Sequence, residues 1–150
     1  MIILDMDNCI SDDGWRLKFI DDSLPVETRW NEYHAQCAMD RPANGPELLC
    51  KGHTVIISTS RPDIYRAHTI NWLARVNVFP WIVMMRKNDD HSPSVVVKER
   101  NLRALRDAYE VRLDAITMAF DDRADIIEMY KRNGVPATRL WIHDGNGERP

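Results

Sequence analysis

The sequence begins with Met1-Ile2-Ile3-Leu4-Asp5-Met6-Asp7, in which four apolar residues are followed at once by acids. A short apolar run that ends at turn-forming residues is typical of a strand buried on both faces of a parallel sheet. No basic leader precedes the run, and no stretch approaches the ~20 apolar residues of a membrane span, so we expect neither a secretory signal nor a membrane anchor. The segment predicts a strand, buried on both faces, that holds Asp5 and Asp7 at one edge of a sheet.

The composition is that of a single globular domain, with 44% hydrophobic and 29% charged residues among 150. The 20 Lys and Arg and the 23 Asp and Glu give a net charge of −3. This balance argues against a dedicated duplex-binding module, because such modules carry a basic face. Cys9, Cys37 and Cys50 form an odd, widely spaced set that is typical of free thiols in a reducing compartment. We therefore expect a cytoplasmic protein without a membrane partner.

Apolar runs and helical patterns alternate along the rest of the chain. Further strands are predicted at residues 53–59, 78–85, 114–120 and 137–142, and helices at residues 63–75, 95–109 and 124–133. Ser60 suits an N-cap, Pro62 suits a first helical turn, and Gly134 suits the left-handed residue that follows a helix. This alternation predicts an α/β fold with a mostly parallel sheet. Residues 9–49 lack a strong period and are interpreted as an insertion between the first two parallel strands, and residues 144–150 as a loose tail.

Ligands bind beyond the carboxyl ends of the strands in open α/β sheets. The residues that follow the predicted strands, or that begin a neighbouring helix, carry carboxylate, hydroxyl or cationic groups: Asp5, Asp7, Thr59, Arg61, Lys98, Asp121 and Asp122. Carboxylates that converge on one point repel one another unless a cation joins them, and their hard oxygen atoms favour Mg²⁺. The hydroxyl and ammonium groups are suitable donors to a phosphate. The pattern therefore predicts a magnesium and phosphate site at this edge of the sheet.

Four segments in chain order resemble the motifs of the haloacid dehalogenase (HAD) superfamily. They are Asp5-Met6-Asp7-Asn8-Cys9, Ile56-Ile57-Ser58-Thr59-Ser60-Arg61-Pro62, Val95-Val96-Val97-Lys98-Glu99 and Ala119-Phe120-Asp121-Asp122-Arg123. Within the superfamily the sequence is most similar to the phosphatase domain of phage-type polynucleotide kinase, especially over residues 120–135. The resemblance covers the chain except about residues 17–49. Two residues depart from the family pattern. Asn8 stands where the family often has Gly, and Cys9 stands where it usually has Thr or Val; neither position supplies a charged group.

The resemblance implies a HAD-like Rossmannoid fold of three layers and a Mg²⁺-dependent phosphomonoesterase. It implies that Asp5 attacks phosphorus, and that Asp7 protonates the leaving oxygen and then activates water. The implied metal ligands are Asp5, Asp7 (through its backbone carbonyl), Asp121 and Asp122. The implied substrate-binding residues are Thr59, Ser60, Arg61 and Lys98. Arg123 is expected to form a structural ion pair.

In this superfamily an insertion after the first strand acts as a cap or flap over the phosphate site. We therefore predict one domain, with a core at residues 1–16 and 50–143 and a cap at residues 17–49. The cap contains more acids than cations, whereas a polynucleotide would favour a basic track. Trp30, Tyr33 and His34 in the cap either stack on a base or pack together as a small core.

The favoured substrate is therefore a nucleoside or deoxynucleoside monophosphate, and the alternative is the terminal 3′-phosphate of DNA or RNA. No Gly-x-x-x-x-Gly-Lys-Ser/Thr loop occurs in the sequence, so we expect a phosphatase without a kinase half. A non-catalytic phosphate-binding module and a phosphotransferase are further alternatives, since fold alone does not determine function. Small proteins of this fold often dimerise, which leaves both a monomer and a homodimer open.

Overall fold

A five-stranded sheet forms the centre of the computed structural model, which describes residues 1–144. The strands are β1 (Ile2–Leu4), β2 (Ser11–Asp12), β3 (Arg41–Pro42), β4 (Val55–Pro62), β5 (Ile82–Arg86), β6 (Met118–Asp121) and β7 (Ala137–Arg139). The helices are α1 (Asn31–Ala35), α2 (Pro46–Cys50), α3 (Arg66–Arg75), α4 (Ser94–Asp107) and α5 (Ala124–Arg132). Within the main sheet the order is β5-β4-β1-β6-β7, and all neighbouring strands run parallel. The predicted α/β fold is confirmed.

Strand β1 lies in the middle of this sheet and is buried on both faces. Its three residues are at most 2% exposed. Ile3 belongs to a core layer that includes Leu105 of α4, whereas Ile2 and Leu4 belong to the opposite layer, which includes Trp72 of α3. Because successive side chains of a strand point to opposite faces, the sheet is covered by helices on both sides. The result is the predicted arrangement of three layers.

Strand β4 continues past its predicted end at Thr59 and includes Ser60, Arg61 and Pro62. The predicted helix N-cap at Ser60 is wrong, because α3 begins only after a 3₁₀ turn that follows the strand. Proline is tolerated where a strand ends and its pairing is irregular, as it is here between β4 and β5. The side chain of Arg61 is completely buried and bonded to Asp7. This contact joins the end of β4 to the turn after β1.

The remaining predicted elements are present with shifted ends. Strand β5 begins at Ile82 rather than at residue 78, β6 begins at Met118 rather than at residue 114, and β7 ends at Arg139 rather than at residue 142. Val78 is instead completely buried, and its N–H donates to the carbonyl of Leu73 at the end of α3. Helices α4 and α5 match their predicted ranges to within two residues. Residues 145–150 of the predicted loose tail lie outside the described residues.

Residues 5–54 connect β1 and β4, the first two strands of the main sheet, and contain β2, β3, α1 and α2. The predicted cap at residues 17–49 lies within this connection. The base of this connection is closed by the antiparallel pair of β2 and β3. Tyr33 and Cys37 are buried within it, and the indole Nε1–H of Trp72 in α3 donates to the carbonyl of Asp40 at 2.8 Å. The connection is therefore packed against the helical layer of the core. Within residues 1–144, no helix has the length and apolar character that crossing a bilayer requires.

Candidate active site

The carboxyl ends of three neighbouring strands border a cavity of about 950 Å³. Asp5 follows β1, Thr59 lies near the end of β4, and Asp122 follows β6. Lys98, from the second turn of α4, also lines the cavity. Because β4, β1 and β6 are adjacent in the sheet, their carboxyl ends lie side by side, where ligands of α/β sheets bind. The structure thus brings together residues from all four motifs.

Three carboxylates form a cluster on one side of this cavity. Asp5, Asp121 and Asp122 each place one oxygen within 4.8 Å of the others. Burial raises the pKa of Asp5 and of Asp121, and neighbouring carboxylates raise them further, although Lys98 acts in the opposite direction. When ionised, the three carboxylates and the Lys98 ammonium carry a net charge of −2. Hard oxygen ligands with that charge fit a divalent cation such as Mg²⁺.

Lys98 joins two of these carboxylates. Its Nζ atom lies 2.6 Å from Asp5 Oδ1 and 2.5 Å from Asp121 Oδ2. Burial by itself would lower the pKa of Lys98, but the two carboxylates outweigh this effect and raise it. Lys98 is therefore charged over the whole physiological pH range. It orients both carboxylates, and an ammonium group has three donors, so one further acceptor can bind.

Asp7 is bonded to two buried arginines and lies outside the carboxylate cluster. Arg61 approaches it with Nη2 at 2.5 Å and Nε at 2.9 Å, and Arg16 Nη2 donates to the same oxygen. Burial would raise the pKa of Asp7, but the two guanidinium groups outweigh this effect and lower it. The carboxyl group is thus ionised in this state. Its side chain is 17% exposed and lines the cavity.

Asp40 completes this second charged group and was missed by the sequence reasoning. Its carboxylate accepts hydrogen bonds from Arg16 Nε at 2.8 Å and Nη2 at 2.7 Å, and from Arg61 Nη2 at 3.1 Å. Ser11 and the indole of Trp15 donate to it as well, at 2.5 and 3.0 Å. Two positive and two negative charges, counting Asp7, make the group neutral. We name this set of Asp7, Arg16, Asp40 and Arg61 the arginine cluster.

Asp7 and Arg61 were predicted to lie at the same edge of the sheet, but no local signal in the sequence indicates that Arg16 and Asp40 join them in the arginine cluster. Arg16 and Asp40 are 24 positions apart, and Asp40 and Arg61 are 21 positions apart. In the sequence, Arg16 and Asp40 look like ordinary charged residues of a polar segment. Like Asp13, they have completely buried side chains, and this burial depends on the packing of residues 17–49.

Thr59 and Ser60, two predicted substrate-binding residues, line the cavity. The hydroxyl of Thr59 accepts a hydrogen bond from the Arg61 N–H at 3.2 Å, and this leaves the hydroxyl proton available. The Ser60 Oγ is buried and has no hydrogen-bond partner among residues 1–144. Arg61 is completely buried and its guanidinium is engaged by carboxylates in the arginine cluster. Arg123 forms the expected ion pair, with Nη2 2.8 Å from Asp125 Oδ2.

The structure explains why Asn stands at position 8, in the turn after β1. It adopts a left-handed conformation with φ 59°, which Asn tolerates better than most residues. Its side chain donates to Asp122 Oδ2 at 3.0 Å and to the carbonyl of His143 at 3.1 Å. The departure from glycine at this position therefore adds an amide that holds one carboxylate of the cluster.

The sequence model of one family, described as the polynucleotide kinase PNKP phosphatase domain, matches residues 1–145. The chain belongs to this family. It is therefore a phosphatase of the HAD type, and the resemblance predicted from the four motifs is confirmed. A search of curated proteins found no match to the phosphatase.

Solved structures of similar fold support the architecture of the phosphatase. A chain in the Pnkp1/Rnl/Hen1 RNA repair complex has a TM-score of 0.68 and 19% identity, over 95% of this chain and 42% of that chain. A haloacid dehalogenase-like hydrolase from Streptococcus pneumoniae has a TM-score of 0.62 and 12% identity, over 99% of this chain and 86% of that chain. A predicted phosphatase from Clostridium acetobutylicum has a TM-score of 0.66 and 14% identity, over 91% of this chain and 82% of that chain. The phosphatase spans less than half the length of the chain in the RNA repair complex.

We expect Asp40→Asn to lower the free energy of unfolding by about 3–5 kcal/mol, because it removes one partner of a buried ion-pair group. Chemical denaturation followed by circular dichroism measures this loss. Asp114→Asn is the matched control, since Asp114 pairs with Arg112 at the surface, and we expect an unchanged midpoint. Equal midpoints for the two variants would contradict a stabilising role of Asp40.

Proposed function

We propose that this phosphatase is Mg²⁺-dependent and removes the phosphate carried by a nucleotide, with Asp5 as the nucleophile. The observation that carries the proposal is the position of Asp5. Its carboxylate lies against the Lys98 ammonium and beside Asp121 and Asp122, at the edge of a cavity that contains hydroxyl donors. This combination of nucleophile, cation site and phosphate donors is what transfer of a phosphoryl group requires.

The first chemical step breaks the ester of the substrate. A carboxylate oxygen of Asp5 forms a bond to phosphorus while the bond from phosphorus to the leaving oxygen breaks, and Asp7 gives a proton to that oxygen. The Lys98 ammonium and the hydroxyl groups of Thr59 and Ser60 donate to the phosphate oxygens. The carboxylates of Asp5, Asp121 and Asp122, with the backbone carbonyl of Asp7, would hold Mg²⁺, which when bound neutralises negative charge on the phosphate and the carboxylates.

The second step regenerates Asp5. Asp7 accepts a proton from water, the water oxygen forms a bond to phosphorus, and the bond between Asp5 and phosphorus breaks to release inorganic phosphate. Arg16 and Arg61 lower the pKa of Asp7, which keeps the carboxylate ionised and correctly oriented. An incoming phosphate carries negative charge and raises the pKa of a nearby carboxyl group. Substrate binding thus favours the protonated Asp7 that the first step needs.

The substrate is proposed to be a nucleoside monophosphate. A cavity of about 950 Å³ is within the range that accommodates a small-molecule ligand, and residues 17–49 contain more acids than cations. The second candidate is the 3′-phosphate at the end of DNA or RNA. The match to the polynucleotide kinase PNKP phosphatase domain favours it, as does the fold shared with a chain of an RNA repair complex.

We expect Asp5→Asn to reduce kcat at least about 10³-fold, because loss of a nucleophile removes the covalent route. Release of inorganic phosphate from nucleoside monophosphates measures the effect. Asp114→Asn, at the surface, is the matched control and should keep wild-type activity. Hydrolysis by Asp5→Asn at the wild-type rate would contradict the proposed mechanism, and a wild-type protein that binds nucleotides without hydrolysing them would indicate a binding module.

Removal of divalent cations should abolish hydrolysis, and added Mg²⁺ should restore it. We expect Asp122→Asn to raise the Mg²⁺ concentration for half-maximal activity by at least about 10-fold, because it removes one hard ligand from the cluster. Titration of metal-free enzyme with Mg²⁺ measures this change. Asp125→Asn is the control, since Asp125 also lines the cavity but pairs with Arg123. Full activity in the presence of a chelator would contradict the metal requirement.

Comparison of kcat/KM for a nucleoside 5′-monophosphate, a nucleoside 3′-monophosphate and a 3′-phosphorylated oligonucleotide separates the two candidate substrates. We expect a mononucleotide to have the highest value, because the rim of the cavity lacks a net basic track. A large preference for the oligonucleotide, with a rate that falls as salt rises, would instead support action on nucleic-acid ends. Transfer of phosphate to an added nucleoside, detected among the products, would indicate a phosphotransferase.

A further inference from the structure

Aromatic rings form one wall of the cavity. Trp30 and His34 come from the connection between β1 and β4, and Tyr65 precedes α3. The ring centroids of Trp30 and His34 are 6.3 Å apart, and those of His34 and Tyr65 are 5.9 Å apart with an interplanar angle of 30°. The Tyr65 hydroxyl donates to the carbonyl of Asn31 at 3.2 Å, which fixes the two chain segments together. We name Trp30, His34 and Tyr65 the aromatic wall.

The aromatic wall is connected to the catalytic group through one further ring. Trp30 packs edge-to-face on Tyr33 with centroids 5.4 Å apart. The Arg16 guanidinium lies 4.1 Å from the centre of the Tyr33 ring, and Arg16 is bonded to Asp7. A substrate whose phosphate lies beside Asp5 and Asp7 therefore has the aromatic wall within the same cavity, on the side of the arginine cluster.

Exposed apolar side chains extend the aromatic wall. Val26 and Ile64 line the same cavity and are 44% and 63% exposed. A phosphate group needs none of this apolar surface. If the rings only packed together as a small core, these neighbouring side chains would be covered. The apolar surface instead faces open space in the cavity, as expected where the organic part of a ligand binds.

Two polar atoms of the aromatic wall have unused hydrogen-bonding capacity. Trp30 Nε1 and His34 Nδ1 are buried and have no hydrogen-bond partner among the described residues. Burial lowers the pKa of His34 to about 3, so the imidazole is neutral at physiological pH. Buried polar atoms without partners are rare and unfavourable. Because both atoms are buried, a ligand in the cavity does not reach them, and what the wall offers a planar ligand is a stacking surface.

We propose that the aromatic wall binds the base of the nucleotide whose phosphate lies at Asp5. The inference rests on the proposed function and assigns a place to the part of the substrate that does not react. Stacking on aromatic rings tolerates any base, because every base has a π face. The site therefore selects for the presence of a base in the substrate more strongly than for its identity.

The test compares two substrates with the phosphate at the same sugar position, a nucleoside monophosphate and the baseless sugar phosphate. We expect Trp30→Ala to raise KM for the nucleotide about 10-fold or more, and to leave KM for the baseless substrate unchanged. Trp30→Phe keeps a ring and should restore most of the affinity. Ile64→Ala should act in the same direction with a smaller effect. Trp81→Ala, at a half-exposed position outside the cavity, is the matched control.

Binding is measured separately with Asp5→Asn, which retains the aromatic wall. Addition of a nucleoside monophosphate should quench tryptophan fluorescence saturably, and Trp30→Phe in the same background should remove most of the quenching. An equal rise in KM for both substrates, or no change for either, would overturn the proposal while leaving the phosphatase mechanism intact. If nucleotides quench the fluorescence saturably but the wild-type protein does not hydrolyse them, the aromatic wall binds a base and the proposed function is wrong.

Discussion

Of the two carboxylates that follow β1, Asp5 is buried and Asp7 is partly buried, and a negative charge removed from water is unfavourable unless opposite charges lie against it. Asp5 receives this compensation from Lys98 of α4, and Asp7 receives it from Arg16 and Arg61. Each cation belongs to a different part of the chain. Neutralisation of Asp5 and Asp7 therefore requires three parts of the chain to pack around β1. They are α4, the end of β4 and the segment after β2.

The two carboxylates differ because their partners differ in number. On the Asp5 side, three carboxylates lie together, and one ammonium group contacts two of them. The negative charge that remains suits a divalent cation. On the Asp7 side, Arg16 and Arg61 are balanced by Asp7 and Asp40, so the side chains of this group are together neutral. Two acids that are separated by one residue in the sequence thus have opposite pKa shifts.

The connection between β1 and β4 has both a structural and a proposed binding role. Asp40 supplies the carboxylate that balances the two arginines, and Trp30 and His34 form part of the wall of the cavity. Tyr33 lies between these two regions, with Arg16 on one side and Trp30 on the other. Its packing links the orientation of Asp7 to the position of the aromatic wall.

The sequence alone determined the parallel sheet, the burial of β1 on both faces and the residues at the carboxyl ends of the strands. These features depend on local signals, namely short apolar runs, turn-forming residues and four motifs in order. The tertiary structure alone decided that Asp40 pairs with Arg16 and Arg61, that Ser60 lies in a strand rather than at a helix start, and that aromatic rings line the cavity. These features depend on burial and on contacts between residues far apart in the chain, which no local pattern encodes.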